Sequence, residues 1–241
     1  MPTLCALCKV RDDLKSSHII PEFFYKSMYD ALHRFHLIPS DSAKPEQFVQ
    51  KGMREKLLCG GCELKFSQWE SYAYRTFVEA HGVHVTHFKN RILLQGIDYG
   101  KFKLFLLSLL WRTDVSTLSF FDEVDLGPHG ERIRLALLKG DPLQPNNYPC
   151  VLTAVTIDGV FFPDWHVPPT LAKYDGHHVY RLLVSGVLFM FFVGSHPPPQ
   201  RLGVLTLNTK NEMSVAVEEI RNIPFLSDIM LTFKARNARK N

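Results

Sequence analysis

The sequence predicts an α+β protein in two parts: a small N-terminal module stapled by paired cysteines, then a C-terminal α+β domain with a small antiparallel sheet. Three observations carry this. Two Cys-x-x-Cys pairs, Cys5/Cys8 and Cys59/Cys62, bracket two short β-rich runs. A long helical pattern opens at the second pair. From Tyr99 two apolar helical runs give way to β-rich segments separated by turn residues. A soft boundary at residue 95 divides 1–95 from 96–241.

The elements follow in order. Cys5-Ala6-Leu7-Cys8 reads as a tight loop, and "LKSSHII", Leu14 to Ile20, as a short strand stopped by Pro21. Pro21 suits the first turn of a helix. In "PEFFYKSMYDALHRF", Phe24, Met28 and Leu32 recur at helical spacing. "HLIPSDSAKPEQFVQKG" carries Pro39, Pro45 and Gly52 and reads as a loop. "REKLL" is a second strand, and the Cys59–Cys62 turn opens the helix "CELKFSQWESYAYRTFVEAHG".

In the second part "KFKLFLLSLLWR" predicts an apolar helix ending near Arg112, and "ERIRLALLKG" another closed by Gly140. "CVLTAVTIDG", "VYRLLVSG", "VLFMFFVG" and "RLGVLTLN" predict strands, the middle two joined tightly at Ser185-Gly186. The end, "LTFKARNARKN", is basic and expected to fray.

Composition bounds the function. A chain of 241 residues, 46% hydrophobic and 22% charged, can bury a full core. Its formal charge of +4 permits a nucleic-acid partner without arguing for one. The first residues lack a basic stretch followed by an apolar core, and the run Leu182 to Gly194 is too short to span a bilayer. The expectation is a cytoplasmic protein with no membrane partner. Neither a Gly-rich phosphate loop nor a G-x-S-x-G elbow is present, which counts against nucleotide-dependent enzymes and α/β-hydrolases.

In a chain with no export signal, two Cys-x-x-Cys pairs favour a four-thiolate structural zinc at Cys5, Cys8, Cys59 and Cys62 over disulfides. A redox role for one pair is the lesser alternative. On the long helix Glu63 and Glu70 lie seven apart, beside the stripe of Phe66, Ala73 and Phe77. A carboxylate there meets a buried Arg or Lys, or serves a metal or a proton. His81, His84 and His87 fall in an extended segment, and Cys150 reads as a core thiol.

The series C-A-L-C, S-H-I-I-P, L-L-C-G-G-C-E resembles the HNH endonucleases, over about the first 80 residues and none of the remainder. That resemblance implies a ββα-metal fold and a metal-dependent nuclease, with DNA expected over RNA as its nucleic acid and defence against foreign DNA as a setting common among such fusions. It gives His18 the role of general base and Glu63 that of ligand to a catalytic Mg²⁺ or Mn²⁺. Ser17 stands where the family commonly has an acidic or His ligand, and Arg54 falls near the family's middle Asn. Arg54 would then grip a phosphate and Glu70 would supply a second acid. The alternative is an inactive zinc module that binds nucleic acid or a protein partner. The C-terminal domain would bind a ligand, a partner chain or the nucleic acid flanking the cut, or pair with a second copy.

Overall fold

The computed structural model describes residues 4–37, 47–194 and 199–238. The chain is mixed α+β, with a large sheet backed by helices. Of the run expected as a loop, Gln47–Gln50 is a strand, and the part around Pro39 and Pro45 lies outside the described residues.

The N-terminal unit is built on two strands, β1 (Leu14–His18) and, later in the chain, β4 (Arg54–Cys59), paired antiparallel. Leu14 stands opposite Cys59 and His18 opposite Arg54. Between them lie β2 (Arg34–Leu37) and β3 (Gln47–Gln50), a hairpin of their own. α1 (Gly60–Phe77) leaves β4 directly.

The helix expected after Pro21 is instead a short 3-10 segment, Glu22–Met28. The reason is Asp30, whose Oδ1 accepts the backbone N–H groups of Leu32 (2.8 Å) and Arg34 (2.9 Å). That turn takes donors a continuing helix would need. Leu32, expected on the helical stripe, is exposed.

β5 (His84–His87) and β6 (Arg91–Gln95) follow, then α2 (Tyr99–Val115) and α3 (Pro128–Lys139). Asp98 caps α2 by accepting from the Lys101 N–H at 3.0 Å. Gly140, at φ 75°, closes α3. The remaining strands are β7 (Cys150–Ile157), β8 (Val160–Phe161), β9 (Val167–Tyr174), β10 (His177–Val184), β11 (Val187–Val193) and β12 (Glu212–Glu219). α4 (Pro224–Ala238) ends the described chain.

The sheet departs from the expectation in size and direction. Eight strands run β5-β6-β12-β7-β11-β10-β9, with β8 on β7, and β12 lies parallel to β7. The sheet is therefore mixed, not small and antiparallel. It takes in residues 84–95, N-terminal to the boundary expected at residue 95. The Ser185-Gly186 turn is as expected: both residues have positive φ, 50° and 73°, and Val184 pairs with Val187. "RLGVLTLN" is no strand. It forms a 3-10 turn and one bridge, Val151 to Thr206, because Leu202 and Leu205 turn onto the sheet.

One face of the sheet and the helices share a core. Phe189 of β11 packs on Phe77 of α1 and on Phe24, and Phe66 of α1 meets Trp111 of α2 edge-on at 6.0 Å. The same hydrophobic cluster runs from Cys5 to Val215. Each such fully buried side chain contributes about 1.5–3 kcal/mol. Among the described residues no helix is long and apolar enough to cross a membrane.

Candidate metal centre and histidine cluster

Cys5 and Cys8 sit in a loop closed by Cys5 N–H to Arg11 O (2.6 Å) and Lys9 N–H to Cys5 O (2.9 Å). Ala6 N–H donates to Leu57 O at 2.9 Å, so the loop lies against β4. Cys59 is the last residue of β4 and the N-cap of α1; Cys62 is in the first turn. All four Sγ atoms lie within 4.8 Å of one another, Cys8 and Cys59 at 3.9 Å. Tetrahedral zinc with Zn–S bonds of about 2.3 Å sets its sulfurs about 3.8 Å apart. The cluster can hold a metal ion such as zinc.

Its electrostatics ask for a cation. Burial pushes the Cys5 thiol up, and burial with the neighbouring thiols pushes Cys62 up. Burial also acts on Cys8, but the N–H groups of Val10 and Arg11 outweigh it and bring its pKa to about 7. A bound cation offsets the cost of gathering thiolates.

His18 lies at the other end of the hairpin, about 14 Å of strand from the cysteines. Its Nε2 lies within reach of the Glu22 carboxylate, the Lys51 carbonyl (3.1 Å) and the Arg54 Nε–H (2.7 Å): protonated it donates to those oxygens, and unprotonated it accepts from Arg54. Arg54 Nη2 also donates to Glu22 Oε2 at 3.1 Å, and the Tyr29 hydroxyl donates to Glu22 Oε1 at 2.8 Å. Gly52 makes room for this: a Cβ there would stand 2.8 Å from the Tyr25 ring and 3.3 Å from His18 Cδ2. Burial and then Arg54 hold the His18 pKa below its ordinary value, with Glu22 opposing. This favours the neutral imidazole. In Glu22, burial raises the pKa, but the Tyr29 hydroxyl, His18 and Arg54 together bring it below the usual carboxylate range.

The expected site residues therefore separate. His18 and Arg54 come together, joined by Glu22, which the sequence reading missed. Its signal was available in "SHIIPE", four residues after His18. Glu63 is in the first turn of α1, its Oε1 buried with no hydrogen-bond partner. Glu70 is engaged by a buried Arg: Arg112, 3% exposed, pairs with its Oε1 at 2.6 Å through Nη1. The same Nη1 donates to the His18 carbonyl at 2.8 Å, and Arg112 Nε to Ser108 O at 3.2 Å. Ser17 is buried, and its hydroxyl accepts the Leu58 N–H at 3.1 Å. Among the described residues the four cysteines are the one group of three or more side chains able to share a metal.

Elsewhere, His84 and His87 are exposed on β5. His166, between β8 and β9, meets Phe24 O at 3.2 Å through Nε2 and stacks obliquely on Tyr25. Burial lowers its pKa to about 4. Cys150 is a core thiol. Comparison of the chain with protein-family models, curated proteins and solved structures returned no match.

Proposed function

We propose that this chain is an HNH-type endonuclease that hydrolyses DNA phosphodiester bonds with His18 as general base. The observation that carries this reading is the order of one small unit. The Cys5–Cys8 knuckle leads to β1 ending in His18, and β4 runs from Arg54 opposite that histidine into Cys59, Cys62 and Glu63.

In this reading neutral His18 takes a proton from water, and the water oxygen forms a bond to phosphorus. The bond from phosphorus to the leaving sugar oxygen breaks, and that oxygen takes a proton from solvent. Glu22 orients the imidazole and stabilises its protonated form. Arg54 offers donors to a phosphate oxygen as charge builds there. A metal at the cysteines ties hairpin to helix and stays out of the chemistry.

The expected Mg²⁺ or Mn²⁺ is a different matter. Glu63 offers a buried oxygen, but among the described residues it belongs to no group of three or more His, Cys, Asp or Glu side chains able to share an ion. Ser17 and Glu70 are engaged elsewhere. No step is therefore routed through such an ion.

The test is plasmid nicking by wild-type protein with Mg²⁺ or Mn²⁺, beside His18→Ala and Arg54→Met of equal metal content. Loss of nicking in His18→Ala is expected. Equal cutting by that variant would end the mechanism. A second reading, a zinc module that binds nucleic acid or a protein partner without cutting, draws on the buried Ser17 hydroxyl and on Arg54 held by Glu22. It predicts DNA retention in a gel shift with no nicking under either ion.

A further inference from the structure

The outer face of the large sheet, opposite the main core, is covered in two places. α4 packs Leu226, Ile229 and Met230 over Val155, Val167 and Leu183. The 3-10 turn Gln200–Leu202 sets Leu202 over Val151, Val179 and Phe192. Between these covers lies a recess of about 270 Å³. Thr153, Arg181, Met190 and Ala216 form its floor on four neighbouring strands, and Ile223 and Phe225 its wall.

Arg181 is the unexplained group. Its guanidinium lies over the Phe225 ring at 3.9 Å, and its Nε donates to Thr170 Oγ1 at 3.1 Å. Stacking and this bond fix the plane of the guanidinium. Burial lowers its pKa, and no carboxylate opposes that effect. Glu218 also lines the recess, but its Oε1 takes the Asn222 amide (2.6 Å) and the Glu219 N–H (3.2 Å). Lys173 adds a second positive charge to the lining. Among the described residues Arg181 makes no ion pair, so its charge is free to meet an anion in the recess.

We propose that this recess binds a small amphipathic carboxylate, its anionic end on Arg181 and its apolar body against Met190, Ile223 and Phe225. A planar guanidinium fork matches a carboxylate with two parallel hydrogen bonds. The recess lies at the low end of the size range of small-ligand pockets, which suits a ligand of one ring or a short chain. The apolar lining fits an aryl or short alkyl body and offers little to a fully hydrated anion. This inference is independent of the nuclease reading.

The experiment is thermal unfolding of the full chain with 3-phenylpropionate, with its neutral amide, and with inorganic phosphate, each titrated to 10 mM. The acid is expected to raise Tm in a saturable way, the amide and phosphate not. Arg181→Met keeps the apolar stem and is expected to abolish the shift; Arg181→Lys should weaken the apparent affinity about tenfold, by losing the fork. A shift from the amide as large as from the acid would remove Arg181 from the account. A shift from phosphate as large as from the acid would overturn the amphipathic class, and no shift from any probe would overturn the site. The comparison of acid with amide uses wild-type protein alone, so it decides the matter even where a variant fails to fold.

Discussion

His18 is set between two neighbours that act on it in opposite senses. Burial and the Arg54 guanidinium disfavour its protonated form, and Glu22 favours it. The variants should therefore move in opposite directions. Glu22→Gln is expected to lower the His18 pKa further, and Arg54→Met to raise it; both are measurable from the imidazole C–H signals in a pH titration by NMR. One unit of movement corresponds to about 1.4 kcal/mol between protonation states. An unchanged pKa in both variants would show that burial alone sets the value. The folding consequence has a definite sign. A histidine depressed below its unfolded value contributes stability at neutral pH, which is lost as pH falls from about 6.5 through the folded pKa. At this scale sequence reasoning reached His18 and Arg54 through motif order. Glu22 was out of reach because Pro21 suits the first turn of a regular helix, and nothing in that pattern returns the next side chain to His18. The 3-10 turn carries that carboxylate back to Nε2.

At the scale of elements, a helix can be legible in outline and still hide its most consequential residue. The apolar run of α2 is legible in the sequence, and a lysine within such a run is ordinarily a snorkelling cation. The structure buries Lys103 to 2% exposure, with its ammonium donating to Asn147 O (2.7 Å) and Tyr148 O (2.9 Å). Periodicity could not reveal this, because the acceptors come from a loop 44 and 45 residues later. Burial lowers its pKa to about 8. The unfolded chain then binds more protons than the folded one between about 8 and 10.4, so stability rises with pH across that window. Denaturant unfolding at pH 7 and 9 should show a gain of about 1 kcal/mol, absent in Lys103→Met. A wild-type slope unchanged in the variant would place the effect elsewhere. β9 was unreadable for a related reason. Pro168 and Pro169 argue against a strand, yet β9 ends the sheet: one of the two missing donors faces the open side, and the pairing with β10 is irregular between Arg181 and Leu183, opposite the prolines.

At the scale of the whole molecule, the knuckles, the hairpin and the start of α1 were legible because cysteine spacing is local. What joins them to the rest was not, because it rests on contacts distant in sequence. β6 pairs with β12, more than a hundred residues on, and Arg112 of α2 holds both Glu70 of α1 and the carbonyl of His18. Arg134 of α3 donates to the Leu7 carbonyl inside the first knuckle, and Lys65 of α1 to the Leu138 carbonyl at the end of α3. The N-terminal unit therefore has no edge at which it could unfold while leaving the sheet intact. One cooperative transition is expected: tryptophan fluorescence, far-UV circular dichroism and release of bound metal to a chelator should share a single midpoint in urea. Arg112→Met should move all three together and cost about 3–5 kcal/mol, since it strands Glu70 and leaves the His18 carbonyl without its donor. Metal release at a lower urea concentration than the loss of secondary structure would mean that the cysteine unit opens independently. The contacts through Arg112 and Arg134 would then be docking contacts between separable bodies. Coincident midpoints would mean that the geometry around His18 is held by the entire fold, with α2 as its anchor.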